Sequence, residues 1–157
     1  MDTKKELLIL AITEEIKAQK LYYKLHDIID SEAAKEIFLR LIKIEELHEH
    51  KIKNLLNKEF PDHSFQFIPD VEYQAELKQK LNSPEDVYGF AIAKEQKAEA
   101  IYTKLAIATD EPDIKDMLLM FAEDEKNHQE ILEDEILRLS GILTWFNEDE
   151  LTGLLEH

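Results

Sequence analysis

The sequence predicts an all-α fold: a four-helix bundle made of two antiparallel hairpins joined by a long crossover, with a short helix at the C-terminal end. Three observations carry this. Apolar residues recur at helical spacing through four long runs. The runs begin at helix-capping signals. The 157 residues include only 3 Gly and 4 Pro, too few for the many turns of an all-β sandwich.

Each element has its own punctuation. Thr3 with Glu6 reads as a capping box opening a helix over about 3–29. Ser31 opens the second, over about 31–57. Ser83-Pro84-Glu85-Asp86 supplies an N-cap, a first-turn Pro and an acidic third position for a helix over about 84–108. Asp110 to Asp113, with Pro112 inside, opens the fourth, over about 111–140, which stops near Gly141. Connections 1–2 and 3–4 are short, so each pair forms a hairpin. The stretch 58–82, with Pro61, Pro69, Phe60, Phe65 and Phe67, reads as a crossover spanning the bundle, with Asp70 to Leu81 as a helical piece within it. Ile142 to Leu154 carries Trp145, Phe146, Leu151 and Leu154 and reads as a short fifth helix on the bundle or on a partner. Residues 1–154 form a single domain in this reading, and Leu155, Glu156 and His157 resemble the start of a purification tag.

Composition narrows the chemistry. The formal net charge is −16, from 19 Lys and Arg against 35 Asp and Glu, which argues against a nucleic-acid partner. The absence of Cys removes disulfides, thiol nucleophiles and thiolate metal sites. No 18-residue apolar run and no targeting segment is visible, so a cytoplasmic protein without a membrane partner is expected.

The chain also repeats itself at an offset of 80 residues. Residues 11–25 and 91–105 match at eight of 15 positions, including Glu15 with Glu95, Ala18 with Ala98 and Tyr22 with Tyr102. The same offset relates Lys35 to Lys115, Glu45 to Glu125 and His48 to His128. A duplicated hairpin accounts for the repeat. It does not account for polar residues that persist where the core should be. Leu8, Ala11, Ile12, Ala18, Tyr22 and Leu25 place Glu15 in the middle of an apolar stripe, and Tyr88, Ala91, Ile92, Ala98, Tyr102 and Leu105 do the same for Glu95. Phe38, Leu41, His48, Ile52 and Leu55 surround Glu45; Leu118, Phe121, His128 and Leu132 surround Glu125.

Each helix thus points one carboxylate inward, and two helices add an imidazole one turn on. Four ionised carboxylates in a dry core repel one another and lose their hydration. No Lys or Arg on the inward stripes is placed to neutralise them. Two divalent ions would balance four carboxylates, with two neutral imidazoles completing the shells. A Glu and a His at i, i+3 can reach the same ion, and a Glu from each of two helices plus Glu-x-x-His from each of the other two is the constellation of di-iron and di-manganese bundles. The expected ligands are therefore Glu15, Glu45, His48, Glu95, Glu125 and His128. Oxygen-rich ligation without sulfur suits iron or manganese, with zinc an alternative occupant of the purified protein. Tyr22 and Tyr102 are placed to hydrogen-bond a ligating carboxylate across the bundle, or to reach water. Asp124 is a candidate to orient a ligating His, with a solvated surface position the plainer alternative; its repeat partner is Ile44. Glu99 is a weaker candidate ligand, since its repeat partner is Gln19. Glu14, Glu46, Glu49, His50 and Glu123 are expected to be solvated.

These residues resemble the rubrerythrin branch of the ferritin-like superfamily: Glu15 with Tyr22, Glu45 with His48, Glu95 with Tyr102 and Glu125 with His128, over about residues 5 to 139. The resemblance implies a ferritin-like bundle with two iron ions, found in dimers or larger assemblies, that reduces hydrogen peroxide or oxidises ferrous iron with peroxide or dioxygen. Two departures stand out. The Cys-ligated rubredoxin domain of typical members is missing, so an external electron donor is implied. Members also carry a further Glu three residues after the helix-three ligand, where this chain has Ala98. The ligand count is then six, closer to bacterioferritin-type centres. A di-iron oxidoreductase acting as a homodimer is the leading expectation. Iron storage of ferritin type, or a metal-stabilised scaffold without turnover, is the alternative.

Overall fold

A computed structural model describes residues 3–65 and 84–140. Four α-helices follow one another: α1 (Thr3–Ile28), α2 (Glu32–Glu59), α3 (Pro84–Ile107) and α4 (Pro112–Ser140). The helical piece expected at Asp70 to Leu81, the cap expected at Ser83, and the fifth helix expected at Ile142 to Leu154 lie outside the described residues, as do residues 155–157. Ser31 caps α2: its hydroxyl oxygen accepts from the Ala34 N–H at 3.2 Å, satisfying one of the donors that a helix start leaves unpaired. At the far end of α2 the Phe60 N–H donates to the Leu56 carbonyl at 2.8 Å. Pro112 opens α4 at the position where a missing N–H costs nothing.

The helices form a bundle of two hairpins, α1–α2 and α3–α4, joined face to face through α1 and α3. The backbones of α2 and α4 meet at only a few points. Between them lies a cavity of about 320 Å³, lined by Leu41, Ile44 and Ile131 with exposed Arg40 and Asp134 at its rim.

Two apolar clusters fill the interior. One joins Leu25 of α1, Phe38 of α2, Tyr88 of α3 and Leu132 of α4. The other joins Leu8 and Ile12 of α1, Ile52 of α2, Leu105 of α3 and Leu118 of α4. The end of α1 therefore meets the start of α3, and the two run antiparallel. It follows that α2 ends and α3 starts at opposite ends of the bundle, so the connection has to travel its length. It also follows that the two hairpins are related by an approximate two-fold axis across the bundle. That axis passes between the clusters, where the inward carboxylates and imidazoles sit.

The first cluster is built around a run of rings. Tyr22 and Phe38 stack with centroids 6.1 Å apart, and Phe38 and Tyr88 with centroids 5.7 Å apart. Such pairs add to the gain from burial. Phe38 is fully buried and touches rings from two other helices. Truncating it to Ala is expected to cost roughly 3–5 kcal/mol of unfolding free energy in urea titrations. Ile107→Ala, at a position 75% exposed, is expected to stay within about 0.5 kcal/mol of the parent.

Candidate metal centre

The polar layer between the two clusters draws on all four helices. Glu15 comes from α1, Glu45 and His48 from α2, Glu95 from α3, and Glu125 and His128 from α4. None of the six is more than 2% exposed. They fall into two overlapping groups: Glu15, Glu45, His48 and Glu125, and Glu45, Glu95, Glu125 and His128. Within each, one ligand atom per residue lies within 4.8 Å of the others. Glu45 and Glu125 belong to both.

Both imidazoles present Nδ1 to the carboxylates. His48 Nδ1 lies 2.8 Å from Glu125 Oε1, 3.0 Å from Glu15 Oε2 and 3.5 Å from Glu45 Oε1. His128 Nδ1 lies 3.2 Å from Glu95 Oε2, 3.5 Å from Glu45 Oε1 and 3.9 Å from Glu125 Oε2. The surrounding side chains hold these groups in place. The Tyr22 hydroxyl donates to Glu95 Oε1 at 2.6 Å. Tyr102 is buried beside the Glu15 carboxylate without making a hydrogen bond of good geometry to it. His48 packs on Phe121, ring centroids 4.2 Å apart, and meets Tyr102 edge-on at 5.8 Å.

The electrostatics follow from burial. Desolvation, only partly offset by the nearby His48, pushes Glu15 up to about 7. Desolvation and then the neighbouring carboxylates push Glu45 and Glu125 well above the usual carboxylate range. Burial alone would raise Glu95 too, but its close contacts with Glu125, His128 and Tyr22 outweigh it, and its pKa falls. Burial disfavours the charged form of His48, yet Glu15 and Asp124 together raise its pKa. Burial, followed by nearby carboxylate charges, holds the Tyr22 and Tyr102 hydroxyls in their neutral form.

The donor set fits divalent cations. Both oxygens of Glu15, Glu45 and Glu125 and Nδ1 of His48 are buried without a hydrogen-bond partner among the described residues. Buried acceptors left unpaired are costly, and convergence of oxygen and imidazole donors is what iron, manganese or zinc takes up.

Other candidates sit elsewhere. Glu99 belongs to neither group: its Oε1 accepts from Gln129 Nε2 at 2.8 Å. The repeat mirrors this tie in the other hairpin, where Gln19 Nε2 donates to Glu49 Oε1 at 2.7 Å. Asp124, for which a solvated position was the plainer expectation, instead faces His48: its Oδ2 lies 2.9 Å from Nε2. Glu14, expected to be solvated, is buried at 4% exposure, 3.2 Å from Lys17 Nζ and 3.5 Å from Lys97 Nζ. Its basic partners on α1 and α3 allow that burial. Glu135 is a further buried acid, paired with Arg138 at 2.6 Å. The i, i+3 basic residues beside Glu14 and Glu135 are the signal that separates these structural ion pairs from the central six.

Residues 6–136 match the rubrerythrin family. The chain belongs to this family. A hypothetical protein from Pyrococcus furiosus has a similar structure, with a TM-score of 0.74 and 26% sequence identity over 91% of this chain and 92% of that one. No curated protein matches the sequence. The rubrerythrin fold and the buried Glu and His groups together make this a metal-binding, ferritin-like bundle. No described helix is long and apolar enough to cross a membrane.

The raised carboxylates set a pH dependence for the metal-free protein. A group whose folded pKa exceeds its unfolded value binds more protons when folded, so its contribution falls as pH rises between the two values. For Glu15 that window runs from the ordinary 4.5 to about 7, and Glu45, Glu125 and His48 act in the same direction; Glu95 opposes them. Thermal unfolding of chelator-treated protein should show Tm falling from pH 5 to pH 8. Because metal ligation needs the deprotonated carboxylates, the Tm gained on adding divalent metal should grow over the same range.

Proposed function

We propose that the chain is a non-haem di-iron oxidoreductase of rubrerythrin type, oxidising ferrous iron with hydrogen peroxide or dioxygen and taking electrons from an external donor. The observation that carries this is the overlap of the two ligand groups. Glu45 and Glu125 are common to both, so two ions would share them. Glu15 with His48 would complete one half, and Glu95 with His128 the other. Iron held there would supply the electrons for the oxidant.

The protein's own residues have distinct tasks. The apolar clusters on either side keep bulk water from the carboxylates and so strengthen their interaction with a cation. Tyr22 holds Glu95 in one orientation through its 2.6 Å hydrogen bond. In the metal-free site burial holds Glu15 up to about 7, so it would give up its proton as a cation binds. Ala98 is buried in the apolar core at the position where typical family members carry a further Glu. Glu99 is tied to Gln129. Among the described residues the set therefore stays at six groups, all of them from one copy of the chain.

Two measurements test this. Anaerobic titration should give two ferrous ions per chain in the parent. The double variant Glu45→Gln with Glu125→Gln should lose both, while circular dichroism shows that it remains helical; unchanged iron content would overturn the ligand assignment. Stopped-flow absorbance of the ferrous protein mixed with peroxide, and separately with dioxygen, should show oxidation by at least one. If neither oxidises the iron, a metal-stabilised scaffold is the correct reading.

A further inference from the structure

The two halves of the centre are built from repeated sequence but are not supported alike. His48 Nε2 lies 2.9 Å from Asp124 Oδ2. A carboxylate oxygen only accepts, so the Nε2 position carries the proton. Nδ1 is then the nitrogen turned towards Glu15, Glu45 and Glu125, 2.8–3.5 Å away, and the one that a cation would take up in place of a proton. The ring is also clamped by Phe121 and Tyr102.

His128 has none of this. The repeat partner of Asp124 is Ile44, which offers no acceptor, and that of Phe121 is Leu41. His128 Nε2 is buried with no hydrogen-bond partner among the described residues. To present Nδ1 to a cation, neutral His128 must carry its proton on Nε2, where a buried donor without a partner is costly. The acids differ in the same sense. Glu95 Oε1 is occupied by the Tyr22 hydroxyl, whereas both oxygens of Glu15 are free of hydrogen bonds. The cavity between α2 and α4 is lined by Leu41, Ile44 and Ile131. Leu41 and Ile131 lie about one turn from Glu45 and His128 on their helices.

We infer that the two cation sites are unequal: the half containing Glu15 and His48 fills first and holds its ion, and the half containing Glu95 and His128 binds more weakly and exchanges. Asp124 is the positioning residue that sets the difference, acting through His48. The inference rests on the metal reading above and adds an order of loading to it. Outer partners of this kind are worth roughly 10–100-fold in metal affinity, and that is the separation expected between the two steps.

Calorimetric titration of the metal-free protein with Co²⁺ tests it. The parent should bind two ions in two resolved steps. Asp124→Ala should weaken the tighter step by roughly 10–100-fold and bring the two together, with Asp124→Asn, which keeps an acceptor, falling in between. Ile44→Asp should tighten the weaker step, and it reads out the idea independently should Asp124→Ala fold poorly. In nitrogen-15 spectra with one equivalent of Co²⁺, the slowly exchanging, shifted ring N–H should belong to His48 and should be lost in Asp124→Ala. Two ions bound with equal affinity, or an Asp124→Ala profile matching the parent, overturns the inference and leaves the metal reading standing. Failure to bind any Co²⁺ overturns both.

Discussion

Four carboxylates brought together in a dry interior are the constraint around which this bundle is organised. Glu15, Glu45, Glu95 and Glu125 are all buried, and three of them are pushed towards the protonated form by burial and by one another. An apolar core of the same volume would be easier to fold. The sequence keeps the acids in place and surrounds them with supports instead: a tyrosine hydroxyl on Glu95, an aspartate on His48, and an apolar cluster on each side. That investment in a polar layer makes sense when a cation completes it.

The antiparallel arrangement of α1 and α3 is one of two that can build this layer. With Glu15 and Glu95 near the middle of their helices, a two-fold axis across the bundle brings both to one level, together with the Glu and His of α2 and α4. A hairpin pair related by an axis along the bundle would also bring equal heights together, but it would let the chain return by a short loop. The clusters show the other choice: Leu25 meets Tyr88, and Leu8 shares a cluster with Leu105. The long connection between α2 and α3 is a direct result.

Much of this was legible in the sequence because helical periodicity fixes which face a residue occupies. Glu15 flanked by Ile12, Ala18 and Tyr22 had to face inward once the helix formed, and the 80-residue offset paired it with Glu95. The rubrerythrin family and the four-helix fold were legible on the same grounds. What the sequence did not give was which helix sits beside which residue. Asp124 looked like an ordinary surface acid because its partner His48 lies 76 positions away and on another helix. Glu14 looked solvated because one of its two lysines, Lys97, comes from α3. Glu99 had the right spacing for the site but was claimed by Gln129 on the neighbouring helix. Contacts between helices, unlike the faces of a single helix, depend on rotation and register that periodicity leaves open.

A single hairpin of this chain carries one inward Glu from its first helix and a Glu-x-x-His from its second, which is half of the set. Two identical copies, associating about the same axis, would assemble the whole layer, but every departure in one copy would appear in the other. Fusing the copies into one polypeptide lifts that requirement. Asp124 opposite Ile44, and Glu99 opposite Gln19, are substitutions that only a covalently joined pair can hold separately. The long link between α2 and α3 is therefore more than a tether: it gives each half its own evolutionary freedom while both continue to share one interior.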